Sequence, residues 1–287
     1  MKAGIIGAGA WGTALTICAA RGGANVVLWS HNGECDGIGD VKVPATVQIT
    51  SDFADLSDAD VWLIATPAAY FEETLTKAKA LYRGAPIIIC TKGADPVSGE
   101  FTSEMLARAL PECNEFGVLS GPQFAAEVAR AVPTGSTIAG TPAARHIAHD
   151  LLKCLFLEDS DDIIGAQICG VGKNAVALIC GYLSVAAEGE NERALTFTRT
   201  WGDVMEIGLA MGAEMRTFLA LCGIGDLFLS ATSDTSRNFS GGVAIARGMP
   251  PAGTVEGIFA LRALTRRAAV LGVDVPTLNR MKECMKI

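Results

Sequence analysis

Aromatic side chains are scarce in this chain, at 6% of 287 residues, and histidine is scarcer, with three copies. The thin aromatic content leaves the core to Ala, Leu, Ile and Val, since half of the residues are hydrophobic. That composition suits a compact α/β or helical protein of one large or two medium domains. Basic charge is also short: the formal net charge is −8, which excludes the basic stripe of a nucleic-acid binder. An anionic substrate remains open, provided its site is locally basic. No CxxC pair occurs among the nine cysteines, so neither a zinc site nor a disulfide frame is expected. Cys18, Cys90, Cys169, Cys180 and Cys222 lie in apolar runs and read as reduced core residues of a cytoplasmic protein.

A membrane span is not expected either. The apolar stretch Ala175–Ala187 is interrupted by Gly181 and Ser184 and falls short of the roughly 20 residues a span needs. It reads as a buried core helix. The N-terminal apolar stretch is broken by glycines and lacks a cleavage region, so it does not read as an export signal.

Short apolar runs alternate with helix-like segments in the first part of the chain. Strands are expected at Lys2–Ile6, Asn25–Trp29, Val61–Ala65, Pro86–Cys90, Phe116–Leu119 and Ser136–Ala139. Helices are expected at Trp11–Arg21 and Tyr70–Leu81. This alternation predicts a mostly parallel sheet with helices on its faces. The Gly- and Asp-rich stretch Ser30–Val47 reads as loop. After about Ile164 the period changes to 3.6 residues, with helical segments at Asn174–Ala187, Glu192–Met211, Met215–Cys222 and Val255–Leu271. The boundary predicts residues 1–164 as an α/β dinucleotide-binding domain and residues 165–287 as a helical domain. No internal repeat or low-complexity segment stands out.

Gly7-Ala8-Gly9-Ala10-Trp11-Gly12 follows the first strand and opens a helix. In that context Gly7 permits a tight turn, Gly9 lets backbone approach a pyrophosphate, and Gly12 allows close helix–strand packing. The free N–H groups of the helix then face the phosphates. An acid often ends the second strand where a ribose 2′-hydroxyl is bound. Here the sequence is Ser30-His31-Asn32, with Glu34 just beyond. NADP is mildly favoured over NAD, and neither is excluded.

Hydride exchange at an alcohol carbon needs a proton donor or acceptor beside it. His31 belongs to the cofactor loop, and His146 and His149 suit the surface of a helix. Lys173 stands out instead, as the only formal charge between Ile163 and Ala187. Burial lowers a lysine's pKa towards the range of proton exchange. A lysine at a helix start that snorkels to solvent is the bland alternative. Each other polar candidate also has an ordinary role open to it. The run Ser236-Arg237-Asn238 could cap a helix, Asp226 could sit in a glycine-flanked turn, and Lys92 could be a solvated loop lysine.

Several blocks occur in order: Gly7–Gly12; Thr91-Lys92-Gly93; Ser120-Gly121-Pro122-Gln123-Phe124-Ala125 with Glu127-Val128-Ala129 and Pro133-Thr134; Gly172-Lys173-Asn174; Gly223-Ile224-Gly225-Asp226-Leu227; Ser236-Arg237-Asn238; and Val255-Glu256-Gly257. Over nearly the whole chain this pattern resembles the NAD(P)-dependent glycerol-3-phosphate dehydrogenases of the bacterial type. The resemblance implies a Rossmann domain followed by an all-α substrate domain like that of 6-phosphogluconate dehydrogenase. It implies interconversion of dihydroxyacetone phosphate and sn-glycerol 3-phosphate with NAD or NADP, feeding phospholipid synthesis.

By motif, Lys173 resembles the catalytic proton donor and acceptor. Lys92, Gly121, Gln123, Asp226, Ser236, Arg237 and Asn238 match substrate contacts. Gly7, Gly9, Ala10, Trp11, Gly12, His31, Lys92, Ala125, Arg237 and Glu256 match cofactor contacts. No metal, nucleic acid or integral membrane segment is implied, and a homodimer is left open.

Three departures from the pattern are visible. Gln123 stands where the family usually has Ser or Thr. The segment between the second and third strands is shorter, lacking most of a stretch with an Asn and a Tyr-Leu-Pro-like run. The sequence stops at Ile287, soon after Val275-Pro276, where members commonly continue. Two other functions stay open: a related dehydrogenase of another phosphorylated or hydroxyl substrate, and a catalytically silent NAD(P) sensor.

Overall fold

The computed structural model describes residues 1–95 and 98–287. It divides into two compact units, Met1–Thr91 with Thr102–Ile163, and Lys92–Phe101 with Ile164–Ile287.

The first unit is an eight-stranded sheet in the order β10-β9-β8-β7-β6-β1-β2-β5. Its strands are β1 (Lys2–Ile6), β2 (Asn25–Trp29), β5 (Gln48–Thr50), β6 (Val61–Ile64), β7 (Ile87–Ile89), β8 (Phe116–Ser120), β9 (Gly135–Gly140) and β10 (Phe156–Ser160). All neighbours are parallel except β8 and β9. Strands covered on both faces read as continuous apolar runs. Val61–Ile64 and Ile87–Ile89 do so and are buried throughout. The helices are α1 (Ala10–Arg21), α2 (Phe71–Lys79), α3 (Thr102–Ala109), α4 (Ala125–Ala129) and α5 (Pro142–Leu151).

The strands β5 and β10 were not legible in the sequence. β5 has three residues, and β10 reads Phe-Leu-Glu-Asp-Ser; both lie at the sheet's edges, where apolar patterning is weak. The expected loop Ser30–Val47 also holds a small antiparallel hairpin, β3 (Gly37–Ile38) with β4 (Val41–Lys42).

Cys18 and Cys154 form a disulfide, with Cα atoms 5.9 Å apart. The expectation of reduced cysteines throughout therefore fails for this pair. The cause is tertiary: α1 brings Cys18 beside a residue 136 positions away, a proximity that cysteine spacing does not reveal. Cys90, Cys169 and Cys222 lie outside that bond and are buried, whereas Cys180, also outside it, is half-buried.

Among the described residues, the second unit is helical apart from one isolated bridge, Ala94 to Phe101. Its helices are α6 (Ile163–Ala186), α7 (Glu190–Ala210), α8 (Asp226–Ala231), α9 (Arg237–Ala246), α10 (Glu256–Leu271) and α11 (Pro276–Cys284). α6 is 24 residues long, so by length and composition it could cross a membrane. The expectation that this stretch is too short for that is corrected. Its most apolar window is nevertheless 83% buried inside the protein, which makes it the core helix of this unit.

Glycines allow the other helices to approach α6. A Cβ on Gly172 would fall 2.4 Å from Val204 Cγ1 in α7, one on Gly181 would fall 1.9 Å from the Phe239 carbonyl oxygen in α9, and one on Gly257 would fall 2.5 Å from the Asn174 carbonyl oxygen. The predicted helix Met215–Cys222 is instead a 3₁₀ turn at Met215–Leu219 followed by a π turn at Leu221–Gly225. The backbone closes tightly there, since a Cβ on Gly223 would lie 2.2 Å from the Phe218 carbonyl oxygen. The π turn delivers Asp226 as the first residue of α8.

Candidate active site

The sequence candidates fall into two groups, one in each unit. In the first unit the β1–α1 turn has the geometry of a phosphate cradle. Gly7 has φ +112° and donates its N–H to the Trp29 carbonyl at 3.1 Å. Gly12 must be glycine, because a Cβ there would lie 1.8 Å from the Gly7 carbonyl oxygen. Above Gly9 there is open space, and α1, which starts at Ala10, has neither a capping side chain nor an acid in its first turn. Its leading N–H groups therefore keep their hydrogen-bonding capacity and the positive end of the helix dipole. The buried indole Nε1 of Trp11 has no hydrogen-bond partner. An open floor, an uncapped helix start and an orphaned donor fit a dinucleotide pyrophosphate.

His31 is exposed, with its ring edge-on to Trp29 at a centroid distance of 6.4 Å. Gly121 allows β8 to pass β9, since a Cβ would lie 2.6 Å from Ser136 Cα. Gln123 donates from Nε2 to the Gly135 carbonyl at 3.1 Å, and its buried Oε1 has no partner. Thr134 donates to the Pro122 carbonyl at 2.9 Å. The Ser120–Ala125 block thus holds the β8–β9 crossing together. Ala125 opens α4 and packs against the core of this unit.

In the second unit two lysines converge on one carboxylate. Asp226 is buried; Lys92 Nζ lies 2.8 Å from its Oδ2 and Lys173 Nζ lies 3.1 Å from its Oδ1. Lys173 also donates to Ser230 Oγ at 2.9 Å. Ser230 lies one turn after Asp226 on α8 and donates back to Asp226 Oδ1 at 3.4 Å.

Burial pushes the Lys173 ammonium below the ordinary lysine range. Asp226 opposes that shift, while the charges of Lys92 and Arg237 add to it. Burial alone would raise Asp226, but the Lys173 and Lys92 ammonium groups hold it below the ordinary carboxylate range. Lys173 lies in the middle of α6 and its side chain is only 13% exposed. The alternatives of a helix-start residue or a snorkelling lysine are thereby corrected: the helix begins ahead of it at Ile163, and its ammonium turns inward to an ion pair.

The Ser236-Arg237-Asn238 run divides its tasks. Ser236 caps α9, its Oγ accepting the Phe239 N–H at 3.4 Å. Arg237 follows with an exposed side chain. Asn238 donates from Nδ2 to Asn174 Oδ1 at 2.8 Å, and its Oδ1 accepts the Gly257 N–H at 2.8 Å. One side chain thus joins α9, α6 and the start of α10. Glu256 opens α10; burial raises its carboxyl and Arg237 opposes the rise.

Ser230 and the bridging role of Asn174 were missed in the sequence. The i, i+4 spacing from Asp226 was the available signal for Ser230. It carried no weight without knowing that α8 begins at Asp226.

The family model for the NAD-dependent glycerol-3-phosphate dehydrogenase N-terminus matches residues 2–145, and that for its C-terminus matches residues 162–286. A glycerol-3-phosphate dehydrogenase [NAD(P)+] from Parvibaculum lavamentivorans is 35% identical, with 96% of this chain and 89% of the relative covered. One from Caulobacter vibrioides is 37% identical with the same coverage. Among solved structures, a glycerol-3-phosphate dehydrogenase from Coxiella burnetii superposes with a TM-score of 0.90 at 28% identity, over 99% of this chain and 94% of that one.

Proposed function

The chain belongs to the NAD-dependent glycerol-3-phosphate dehydrogenase family, and we propose that it interconverts dihydroxyacetone phosphate and sn-glycerol 3-phosphate with Lys173 as the proton donor and acceptor. The observation that carries the assignment of Lys173 is its buried ammonium, held by Asp226 and Ser230 and lowered in pKa by burial. The glycine turn of Gly7–Gly12 would hold the dinucleotide, which when bound would supply or accept the hydride at the substrate's central carbon. In the reducing direction Lys173 gives its proton to the oxygen that becomes the hydroxyl. In the oxidising direction the neutral amine takes that proton back.

Lys92 adds a second cation and, with Lys173, opposes the build-up of negative charge on the reacting oxygen. Asp226 keeps both lysines in place and keeps Lys173 from losing its proton too early. The cluster sets Asp226, with Glu256 beside Arg237, against the charges of Lys92, Lys173 and Arg237. That local positive excess, inside a chain of net charge −8, favours a phosphorylated substrate. Arg237 suits the phosphate, because a guanidinium presents a planar fork of donors. Ser236 and Asn238 act first as cap and bridge and set where Arg237 stands.

The proposed division of labour gives cofactor binding to residues 1–164 and substrate chemistry to residues 165–287. The compact units modify this in one respect, because Lys92–Phe101 groups with the helical part. Product feeding into phospholipid synthesis follows from the reaction. A cytoplasmic setting is part of the proposal and is supported by the seven cysteines that lie outside the single disulfide; a homodimer is compatible with it.

Steady-state kinetics with dihydroxyacetone phosphate and both reduced cofactors test the reaction. Turnover of this ketone well above that of other 2-oxo phosphates and phosphonates is expected. Absence of turnover with either cofactor would remove the proposal.

A further inference from the structure

The end of β2 lies directly against the glycine turn, because the Trp29 carbonyl accepts the Gly7 N–H. In dinucleotide-binding folds this stretch faces the adenosine ribose, and an acid there binds the 2′-hydroxyl and repels a 2′-phosphate. Ser30 occupies the position here. It is buried, and its hydroxyl is committed to its own loop, within 2.7 Å of Asn32 Oδ1 and 2.8 Å of the Glu34 carbonyl oxygen. Glu34, the first acid after the strand, is exposed. Its backbone N–H donates to Asn32 Oδ1 at 3.3 Å.

The side chain of Trp29 is fixed at the same strand end. Its Nε1 donates to the Ser51 carbonyl at 3.0 Å, and its ring packs against Phe53 at 4.8 Å. Two basic side chains rest on this platform. His31 meets the ring edge-on at 6.4 Å, and Lys77 of α2 holds its Nζ 5.5 Å from the ring centroid. Lys77 also pairs with Glu73 at 2.7 Å, on an exposed surface where both side chains are well hydrated. Exposed pairs of this kind are weak, and a phosphate of charge near −2 competes with a single carboxylate for the ammonium.

We propose that Lys77, together with His31, binds the 2′-phosphate of NADP(H) and makes this chain NADP-selective. The inference rests on the dinucleotide site of the first unit. It adds a cation from α2, outside the glycine motif and outside the β2 loop.

The test is calorimetric binding of 2′,5′-ADP and 5′-ADP to the full chain and to Lys77→Met, Glu73→Gln and His31→Gln. Melting temperatures show that each variant is folded. Binding of 5′-ADP reports the nucleotide site itself, and the ratio of the two ligands reports the 2′-phosphate contact. The unaltered protein should bind 2′,5′-ADP at least about tenfold more tightly than 5′-ADP. Lys77→Met keeps an apolar stem on Trp29, so it should weaken 2′,5′-ADP by about three- to tenfold and leave 5′-ADP unchanged. Glu73→Gln removes the competing carboxylate and should tighten 2′,5′-ADP. His31→Gln should reduce the preference that remains. Equal affinity of the unaltered protein for both ligands would overturn the proposal. So would an equal loss of both ligands in Lys77→Met, which would mark the lysine as structural. Failure of both ligands to bind the unaltered protein would remove the nucleotide site as well.

Discussion

Lys92 and Lys173 do not approach each other as free cations; each takes a different oxygen of Asp226, at 2.8 and 3.1 Å. The carboxylate therefore compensates one charge and leaves the other for an anionic ligand. It also supports the protonated form of Lys173 against the burial that favours the neutral form.

Asp226→Asn keeps the shape and removes the charge. Lys173 should then titrate at lower pH, because the group that opposes its downward shift is gone. Ketone reduction uses the protonated lysine, so the alkaline limb of its pH profile should move to lower pH. Activity at neutral pH should fall about tenfold or more. Asp226→Ala strands two ammonium groups and should destabilise the fold by about 3–5 kcal/mol. Asp226 also makes stability pH-dependent. Its folded pKa is depressed, so the stability it adds is present above its unfolded value and is lost as the pH falls through the folded one. Measuring pH–rate profiles and pH-dependent melting checks both signs.

Ser230→Ala removes the hydroxyl that receives the Lys173 proton donor at 2.9 Å. Turnover should fall by about tenfold, with little change in cofactor affinity, because the ammonium loses one of two partners that aim it. Ser230→Thr keeps the hydroxyl and should restore most of the rate. Equal activity of the Ala and Thr variants would refute a positioning role.

The sheet and its glycine turn were legible because their signals are local. Buried parallel strands must be apolar along their length, Gly7 and Gly12 mark a turn that other residues would block, and Gly9 leaves its floor open. Lys173 was legible because a lone charge in a long apolar run has few stable explanations. Lys92 and Asp226 were legible as site residues through resemblance and Ser230 was not legible at all, since long-range packing brings all three to Lys173. The Cys18–Cys154 bond failed to show for the same reason, whereas β5 and β10 failed because edge strands carry little apolar patterning. Ser236-Arg237-Asn238 was visible as a block, yet its parts differ in role. Only the structure separates the cap Ser236 and the bridge Asn238 from the exposed Arg237.

Asn238→Leu should act mainly on stability. It leaves Asn174 Oδ1 and the Gly257 N–H without the partners they have at 2.8 Å. The expected loss is about 2–4 kcal/mol, at roughly 1–3 kcal/mol for each stranded polar group and with partial rehydration. Thermal unfolding measures it. A variant as stable as the unaltered protein would show that the three-helix junction does not depend on this amide.

Arg237→Lys should raise the KM for dihydroxyacetone phosphate strongly, by about tenfold or more, because a point charge does not replace a planar fork. The kcat should change less, since the phosphate is remote from the reacting carbon. Inorganic phosphate should also inhibit the variant less than the unaltered enzyme. An unchanged KM would place the phosphate elsewhere.

Lys173→Met separates chemistry from architecture. The methionine keeps a flexible stem of similar bulk in α6 and removes the ammonium. If the lysine served only the fold, the swap would cost little turnover. The outcome for stability is set by Asp226, which keeps Lys92 as a counter-ion at 2.8 Å. One cation still faces one carboxylate, so the variant should fold and the loss should stay well below that of Asp226→Ala. If Lys173 is the proton donor and acceptor, kcat should fall by about 10²–10⁴-fold or more, since proton transfer and stabilisation of the developing alkoxide disappear together. NADPH affinity should hold, because the glycine turn belongs to the first unit and contains no part of this cluster. Single-turnover rates and NADPH titration on the same folded sample give both quantities. Near-normal turnover removes Lys173 from the chemistry; loss of NADPH binding alongside turnover assigns it to the architecture instead.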